Sequence, residues 1–310
     1  MKKLYTLLAL TITFSMNAQV STNNTSPTGV YASAMGNGTT ASGNESTAMG
    51  YDTTASAEAS TAMGYSTTAS AESSTAMGRS TTASGTWSTA MGFGTTASGA
   101  ASTAMGRSTT ASGGYSTAMG KSTTASGSYS TAMGNSTTAS DYASVVIGQY
   151  NSSGSSVTNN ATSFSTSNTA FVIGNGTNSS NKSDAFKVMF NGDTTVSNDL
   201  TVSGDVVISS DARLKSNIVS LGSTLPKLLQ IDGKSYEMKG KQKIGVLAHE
   251  IKEVFPELVS EDDKEMLAVN YQGLVPVLIN ALKEQQGEIN RLKDQEKRIE
   301  RLEGLIAQLD

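Results

Sequence analysis

A parallel β-solenoid, followed by a charged module that ends in a long helix, is the architecture predicted by this 310-residue sequence. Three observations carry it. Met35, Met49, Met63, Met77, Met91, Met105, Met119 and Met133 stand 14 residues apart, and Ile147 takes the next place. A glycine follows each of them at fixed register, from Gly36 to Gly148. The charges are crowded at one end, with 8 in residues 30–155 and 32 in residues 211–310.

Composition excludes several classes of function. Charged residues make up 15% and aromatics 6% of the chain, against about a quarter charged in an ordinary globular domain. There is no cysteine, so a disulfide framework, a thiolate zinc site and a cysteine nucleophile are all ruled out. The one histidine, His249, rules out a multi-histidine metal site within the chain, and no cofactor or metal is expected. A net charge of −4 without a basic block argues against a nucleic-acid partner.

Residues 1–18 read as a secretory signal peptide. Lys2 and Lys3 precede an apolar run from Leu4 to Met16, and Ala18 offers a small residue for cleavage. The competing reading is a buried N-terminal helix. The run is short for a membrane span, which needs about 20 residues. No later segment is apolar enough to span a bilayer, so the mature chain is expected to be secreted or at the cell surface with no transmembrane segment. Residues 19–29 read as a linker.

The array at 30–155 repeats S-T-A-M-G-x-S-T-T-A-S-G-x-x, as in Ser102 to Tyr115. Each unit holds two short runs of small residues separated by glycine turns, which describes one coil of a solenoid. Alternation along a strand is expected to send methionine, with alanine or threonine, into the interior. The strict spacing opposes a disordered Ser/Thr/Gly tract. A threonine-lined surface that orders water or ice stays open through pairs such as Thr39–Thr40 and Thr53–Thr54.

Ser144-Val145-Val146-Ile147-Gly148 resembles the S-V-A-I-G core of the head repeats of YadA-like trimeric autotransporter adhesins; the other units substitute Thr-Ala-Met. The resemblance covers about residues 30–150. It implies a left-handed parallel β-roll that forms a homotrimer. No segment resembles that family's membrane barrel, so autotransport is not expected. The residue after each Met-Gly varies: Tyr51, Tyr65, Arg79, Phe93, Arg107, Lys121 and Asn135. In a rod these stack into a stripe, which reads either as a solvated ridge or as a surface for a glycan, matrix or cell-surface ligand.

Residues 156–208 read as a β-rich neck. Phe171 to Gly174 looks like a last degenerate coil, and Ala185 to Phe190 alternates like a strand before the Asn191-Gly192-Asp193 turn. Short alternating runs are expected to continue from Thr194 to Val207.

From Ser209 the chain changes character. Ser210-Asp211-Ala212-Arg213-Leu214-Lys215, then Ile244 to Ile251, Phe255 to Val259 and Val269-Asn270-Tyr271, closely resemble the intramolecular chaperone domain of peptidase family S74. This resemblance spans residues 209–310 and implies an α+β trimerisation chaperone. It maps a catalytic Ser-Lys dyad onto Ser210 and Lys215, with self-cleavage of the Ser209–Ser210 bond. By spacing alone, Ser210 or Asp211 would read instead as the cap of a short helix. His249 stands where the family has glutamine, and a lone histidine reads as a structural hydrogen-bonder. A helix is expected over about 274–309. Leu292, Ile299 and Ile306 fall at heptad spacing, which suits a coiled coil; a single amphipathic helix packed on its own module is the alternative.

The function these readings imply is a secreted, trimeric, fibre- or adhesin-like protein matured by its own C-terminal chaperone. The alternative is an uncleaved trimer whose C-terminal module is a permanent base beneath a structural or water-ordering head.

Overall fold

A computed structural model describes residues 23–262 and 265–308. The chain divides into two compact units, Met1–Asp205 and Val206–Asp310. The signal-peptide reading falls at 1–18, outside the described residues.

The first unit is a parallel solenoid. Each coil has a five-residue strand, such as Thr47–Tyr51, and a two-residue strand, such as Thr54–Ala55. Long strands pair in parallel with identical repeat positions opposed, as in Thr89↔Thr103, Ala90↔Ala104 and Met91↔Met105. Short strands pair likewise, as in Thr96↔Thr110 and Ala97↔Ala111. Two sheets of 9 and 12 strands result. Every coil thus borrows its ladder from the next, so stability accrues through neighbouring coils.

Two corners of each coil force the chain out of the extended region. At Gly106 φ is +118°, and a Cβ there would lie 2.1 Å from the carbonyl oxygen of Gly120 in the next coil. Only glycine combines that dihedral with that approach. The opposite corner is built differently: Ala59, Trp87, Tyr115 and Tyr129 sit at φ of 52°, 58°, 59° and 61°. A left-handed conformation is unusual for such bulky side chains.

The interior corrects one expectation. Methionine is not in the core. Ala48, Ala55, Ser46 and Thr53 are completely buried, and their equivalents repeat along the array. Thr47 and Met49 lie on the opposite face of the strand and are half-buried. The space between the sheets admits only Ala, Ser and Thr, so period-2 alternation puts the large thioether outside. At the end of the array Val146 and Val172 replace alanine in this core and are likewise completely buried. Ser60 donates to the carbonyl of Ala57 at 2.6 Å, and Ser74 to that of Ala71 at 2.6 Å. The Oγ1 atoms of Thr53, Thr67, Thr81 and Thr95 are buried without a hydrogen-bond partner.

The ends are closed differently from the repeats. Residues 23–29, read from sequence as linker, already belong to the first coil: Ser26–Pro27 pairs with Thr40–Ala41. At the far end, Asp141 takes the place that Gly127 holds one coil earlier. Its buried carboxylate accepts the backbone N–H of Thr158 at 2.6 Å and of Thr169 at 2.8 Å. Asn151 bonds both the N–H and the C=O of Thr138, at 2.8 and 2.9 Å. The insertion between the last two long strands is thereby tied over the array.

The neck continues the large sheet. Thr169–Asn175 pairs in parallel with Val145–Gln149, which matches Phe171 to Gly174 as a final coil. Asp184–Met189 then pairs antiparallel with it, and Thr194–Val196 pairs antiparallel with Asp184–Met189. Gly192, at φ +94°, makes the turn between these last two. Beyond Val196 the expected strands are absent among the described residues up to the short turn at Ala212–Leu214.

In the second unit, two small antiparallel hairpins alternate with helices. Lys234–Met238 pairs with Lys241–Gly245, and Val259–Glu261 with Leu267–Val269. Lys239 and Gly240 both have positive φ, the requirement of a tight two-residue hairpin turn. Helix Ala248–Val254 supplies the buried Ile251, which packs with Phe255 and Val277. The terminal helix runs Leu274–Ile306; Pro276 is tolerated because it lies in the first turn, where no intrahelical N–H bond is lost. Its first half buries Val277 and Ala281, whereas Leu292, Ile299, Leu302 and Ile306 are all more than half exposed. The helix is therefore packed on its own module at one end and presents an unpartnered heptad face at the other.

Candidate functional site

Ser210 and Lys215 come together. Lys215 Nζ lies 2.7 Å from Ser210 Oγ and donates to it. What closes the distance is a single 3-10 turn, Ala212–Leu214, between them. Asp211 caps that turn: its Oδ1 accepts the N–H of Arg213 at 2.8 Å. The Arg213 guanidinium folds back on the same carboxylate, Nη2 to Oδ2 at 2.7 Å and Nε to Oδ1 at 3.1 Å. The N–H of Lys215 then bonds the carbonyl of Ala212 at 3.1 Å, and the chain leaves extended. So the spacing that reads as a helix cap and the spacing that reads as a dyad are one device: Asp211 caps, and the capped turn presents Lys215 to Ser210.

The electrostatics of the turn follow from this geometry. The Arg213 side chain, then its backbone N–H, hold the Asp211 carboxyl below its ordinary value, and Asp211 in turn raises Arg213. Sequence reading noticed Asp211 as a cap but missed Arg213; a residue two positions after a capping aspartate was the available signal. Ser210 and Lys215 are both solvent-exposed, as are the apolar residues around them: Val207 at 88%, Leu214 at 73% and Val219 at 83%. A lysine becomes a base when burial or neighbouring positive charge disfavours its ammonium form.

His249 does not join this pair. It is exposed at the start of helix Ala248–Val254, on a cleft of about 380 Å³ that is also lined by Tyr236, Leu247, Met266 and Tyr271. Its side chain makes no hydrogen bond among the described residues, contrary to the structural role expected of it. Among the described residues no group of three or more His, Asp or Glu is placed to hold a metal ion. No helix of the described residues is long and apolar enough to cross a membrane.

The surface stripe forms as the repeat implies. Tyr51 and Tyr65 stack with centroids 5.0 Å apart and planes 9° from parallel. The Arg79 guanidinium lies between two rings, 5.3 Å from the Tyr65 centroid and 5.6 Å from that of Phe93. Arg107 lies 5.9 Å from the Phe93 centroid on its other side. Ring faces are thus occupied along the ridge by their neighbours, leaving edges and cationic groups to the outside.

At the module's other end, Glu284 of the terminal helix closes on the segment entering helix Leu225–Leu228. Its carboxylate accepts the N–H of Thr224 at 2.5 Å and the hydroxyl of Ser223 at 2.7 Å. These bonds, led by that to the Thr224 N–H, lower its pKa. Thr224 Oγ1 also donates to the Val277 carbonyl at 3.0 Å.

Comparison with known proteins gives two family matches and no curated relative. The YadA head domain repeat matches in overlapping copies between residues 28 and 151. The chaperone of endosialidase, a peptidase S74 model, matches residues 210–260, beginning at Ser210 itself. Along this chain, YadA head repeats therefore precede a chaperone-of-endosialidase segment.

Proposed function

We propose that the protein is an exported homotrimeric fibre- or adhesin-like surface protein whose second unit aligns three chains, then removes itself by cutting the Ser209–Ser210 bond. The 2.7 Å approach of Lys215 Nζ to Ser210 Oγ, at the first residue of the chaperone match, carries this reading.

The chemistry balances within one chain and one water. Neutral Lys215 takes the hydroxyl proton of Ser210, and Oγ attacks the carbonyl carbon of Ser209. Backbone N–H groups stabilise the oxyanion. The amide nitrogen of Ser210 leaves with a proton, which gives an ester on Oγ; water hydrolyses that ester, leaving a carboxylate on Ser209 and a free amine on Ser210.

Assembly supplies what the single chain lacks. Val206, Val207 and Ile208 before the bond, and Leu214, Ile218 and Val219 after it, are exposed apolar residues, and covering them with neighbouring chains would bury Lys215. The half-exposed methionine stripe of the solenoid and the unpartnered heptad face of the terminal helix are apolar in the same sense, and both are satisfied by copies of this chain. Each coil pairs with its neighbour 14 residues on, so the slow step is the meeting of three chains, and a chaperone that holds them together until the head closes answers that kinetic need.

One observation favours a second reading of the head surface. Thr54 and Ser56 flank the inward Ala55 on the outer side of the short strand, and this pair repeats along the array as a regular hydroxyl-bearing face. An ice-recrystallisation assay on the purified protein, set beside binding to glycan and matrix arrays, separates water ordering from adhesion. Native mass measurement combined with fragment masses tests trimer and cleavage together. An intact, trimeric wild-type chain would favour a permanent base.

A further inference from the structure

The two ends of the long strand carry different ridges. At its end stands the residue after Met-Gly, for example Arg79; at the turn leading into it stands the left-handed residue, for example Trp87 before the Thr89–Phe93 strand. All three cations of the array, Arg79, Arg107 and Lys121, occupy the first ridge. Each is followed eight residues later, on the second ridge, by an aromatic: Trp87, Tyr115 and Tyr129. Where the first ridge holds an aromatic instead, as at Tyr51, Tyr65 and Phe93, the second holds Ala59, Ser73 and Ala101. Cation therefore goes with ring, and ring goes with small residue, coil after coil.

Nothing within one chain uses this match. The ridges lie at opposite ends of the long strand, some six residues or about 20 Å apart. The ring and cation–π contacts run along a ridge and never across: Arg79 to Tyr65 and Phe93, Tyr115 to Tyr129. Trp87, Tyr115 and Tyr129 are 60%, 56% and 51% exposed, although each is held in a backbone conformation unfavourable to a bulky side chain. Complementary ridges on the two edges of one face, with the methionine stripe between them, describe a head-to-tail interface that closes into a ring.

We propose that the first ridge of one copy docks on the second ridge of the next, placing Arg79, Arg107 and Lys121 against Trp87, Tyr115 and Tyr129 of the neighbouring copy. The partner is a second copy of this chain, and the inference rests on the trimeric reading above. The contact of Arg79 to Trp87 is cation–π in kind, whereas Tyr115 and Tyr129, stacked on each other 4.9 Å apart, meet their cations through ring edges and hydroxyl oxygens. The alternation of rings with alanine and serine selects between the two facings a closed ring allows, because the other, in which each ridge residue meets the one that opens its own strand, would set Phe93 against Trp87 and Arg107 against Ala101.

The chain has no cysteine and one tryptophan, so two clean reports exist. Full-length Arg107→Cys/Tyr115→Cys, oxidised and run without reductant, is expected to form a covalently closed trimer; Arg107→Cys/Ala101→Cys, which reports the other facing, is expected not to, since a disulfide needs its Cα atoms within about 7 Å. Acrylamide quenching of Trp87 should be suppressed in the wild-type trimer and restored by Arg79→Ala, a surface change made on a different coil edge from Trp87. Native mass is recorded for every variant. Trimers that fail to cross-link at 107/115, or that link preferentially at 107/101, overturn the ridge pairing while leaving the trimer intact. A monomeric wild type overturns the trimeric reading and the pairing with it.

Discussion

Lys215 Nζ and Ser210 Oγ stand 2.7 Å apart because one capped turn, and no more, separates them. The capping pair, Asp211 and Arg213, touches neither atom; it holds the turn from outside. Positioning of this kind gives graded effects. Arg213→Ala leaves both reacting groups in place and loosens the turn, so self-cleavage should slow by up to about tenfold. Time courses of fragment appearance measure this. Arg213→Lys, which keeps the charge but not the two-pronged contact, should recover little of the rate.

Glu284 makes the second unit sensitive to acid. Its folded pKa lies below the usual glutamate range, chiefly through the Thr224 N–H. Its contribution to stability is then complete above the unfolded value and is lost as pH falls through the lowered folded value. Asp211, Asp232 and Glu288 are lowered as well and act with the same sign. Helical ellipticity melts should show wild type losing stability below about pH 4.3, with Glu284→Gln less stable at neutral pH and flatter across the acid range. An identical pH slope for the two proteins would contradict the latch.

The solenoid core should respond to hydroxyl and to volume in opposite directions. Thr95 is buried with an unpartnered hydroxyl, so Thr95→Val removes an unsatisfied polar group at nearly constant shape, and a gain of about 1 kcal/mol is expected. Ala97, two positions on and completely buried, faces an interior sized for a methyl group. Ala97→Leu should cost about 1–3 kcal/mol through overpacking. Thermal melts of the two variants against wild type check both signs.

Gly106 tests the corner. With φ at +118° and the Gly120 carbonyl oxygen 2.1 Å from a built Cβ, Gly106→Ala meets both a dihedral and a steric penalty. Destabilisation of about 1–3 kcal/mol is expected, felt on both sides of the altered coil. Gly114→Ala, where a Cβ meets nothing within 4 Å, is the matched control and should be near neutral.

The coil was legible in the sequence because methionine and glycine recur at a fixed interval. Its phase was not: alternation says that Ala48 and Met49 face opposite ways, and only the distance between the sheets says which faces in. The chaperone-like module was recognisable from residue order, yet five positions between Ser210 and Lys215 do not bring side chains together; the Asp211-capped turn does. The heptads of the terminal helix were readable, but Val277 buries against Ile251 and Phe255 through tertiary contacts that no local pattern announces. Asp141 was hidden for a related reason. It looks like one more substitution at a glycine position, and its role emerges only when the insertion at 152–168 folds back over it.

The most direct test of the central claim is the intact mass of purified full-length protein, taken alongside native sizing, for wild type, Ser210→Ala and Lys215→Ala. The account predicts that wild type yields two fragments divided between Ser209 and Ser210, while both variants remain single full-length chains in trimers. A wild-type trimer that stays whole, or a Lys215→Ala protein cut at the same bond, would contradict it.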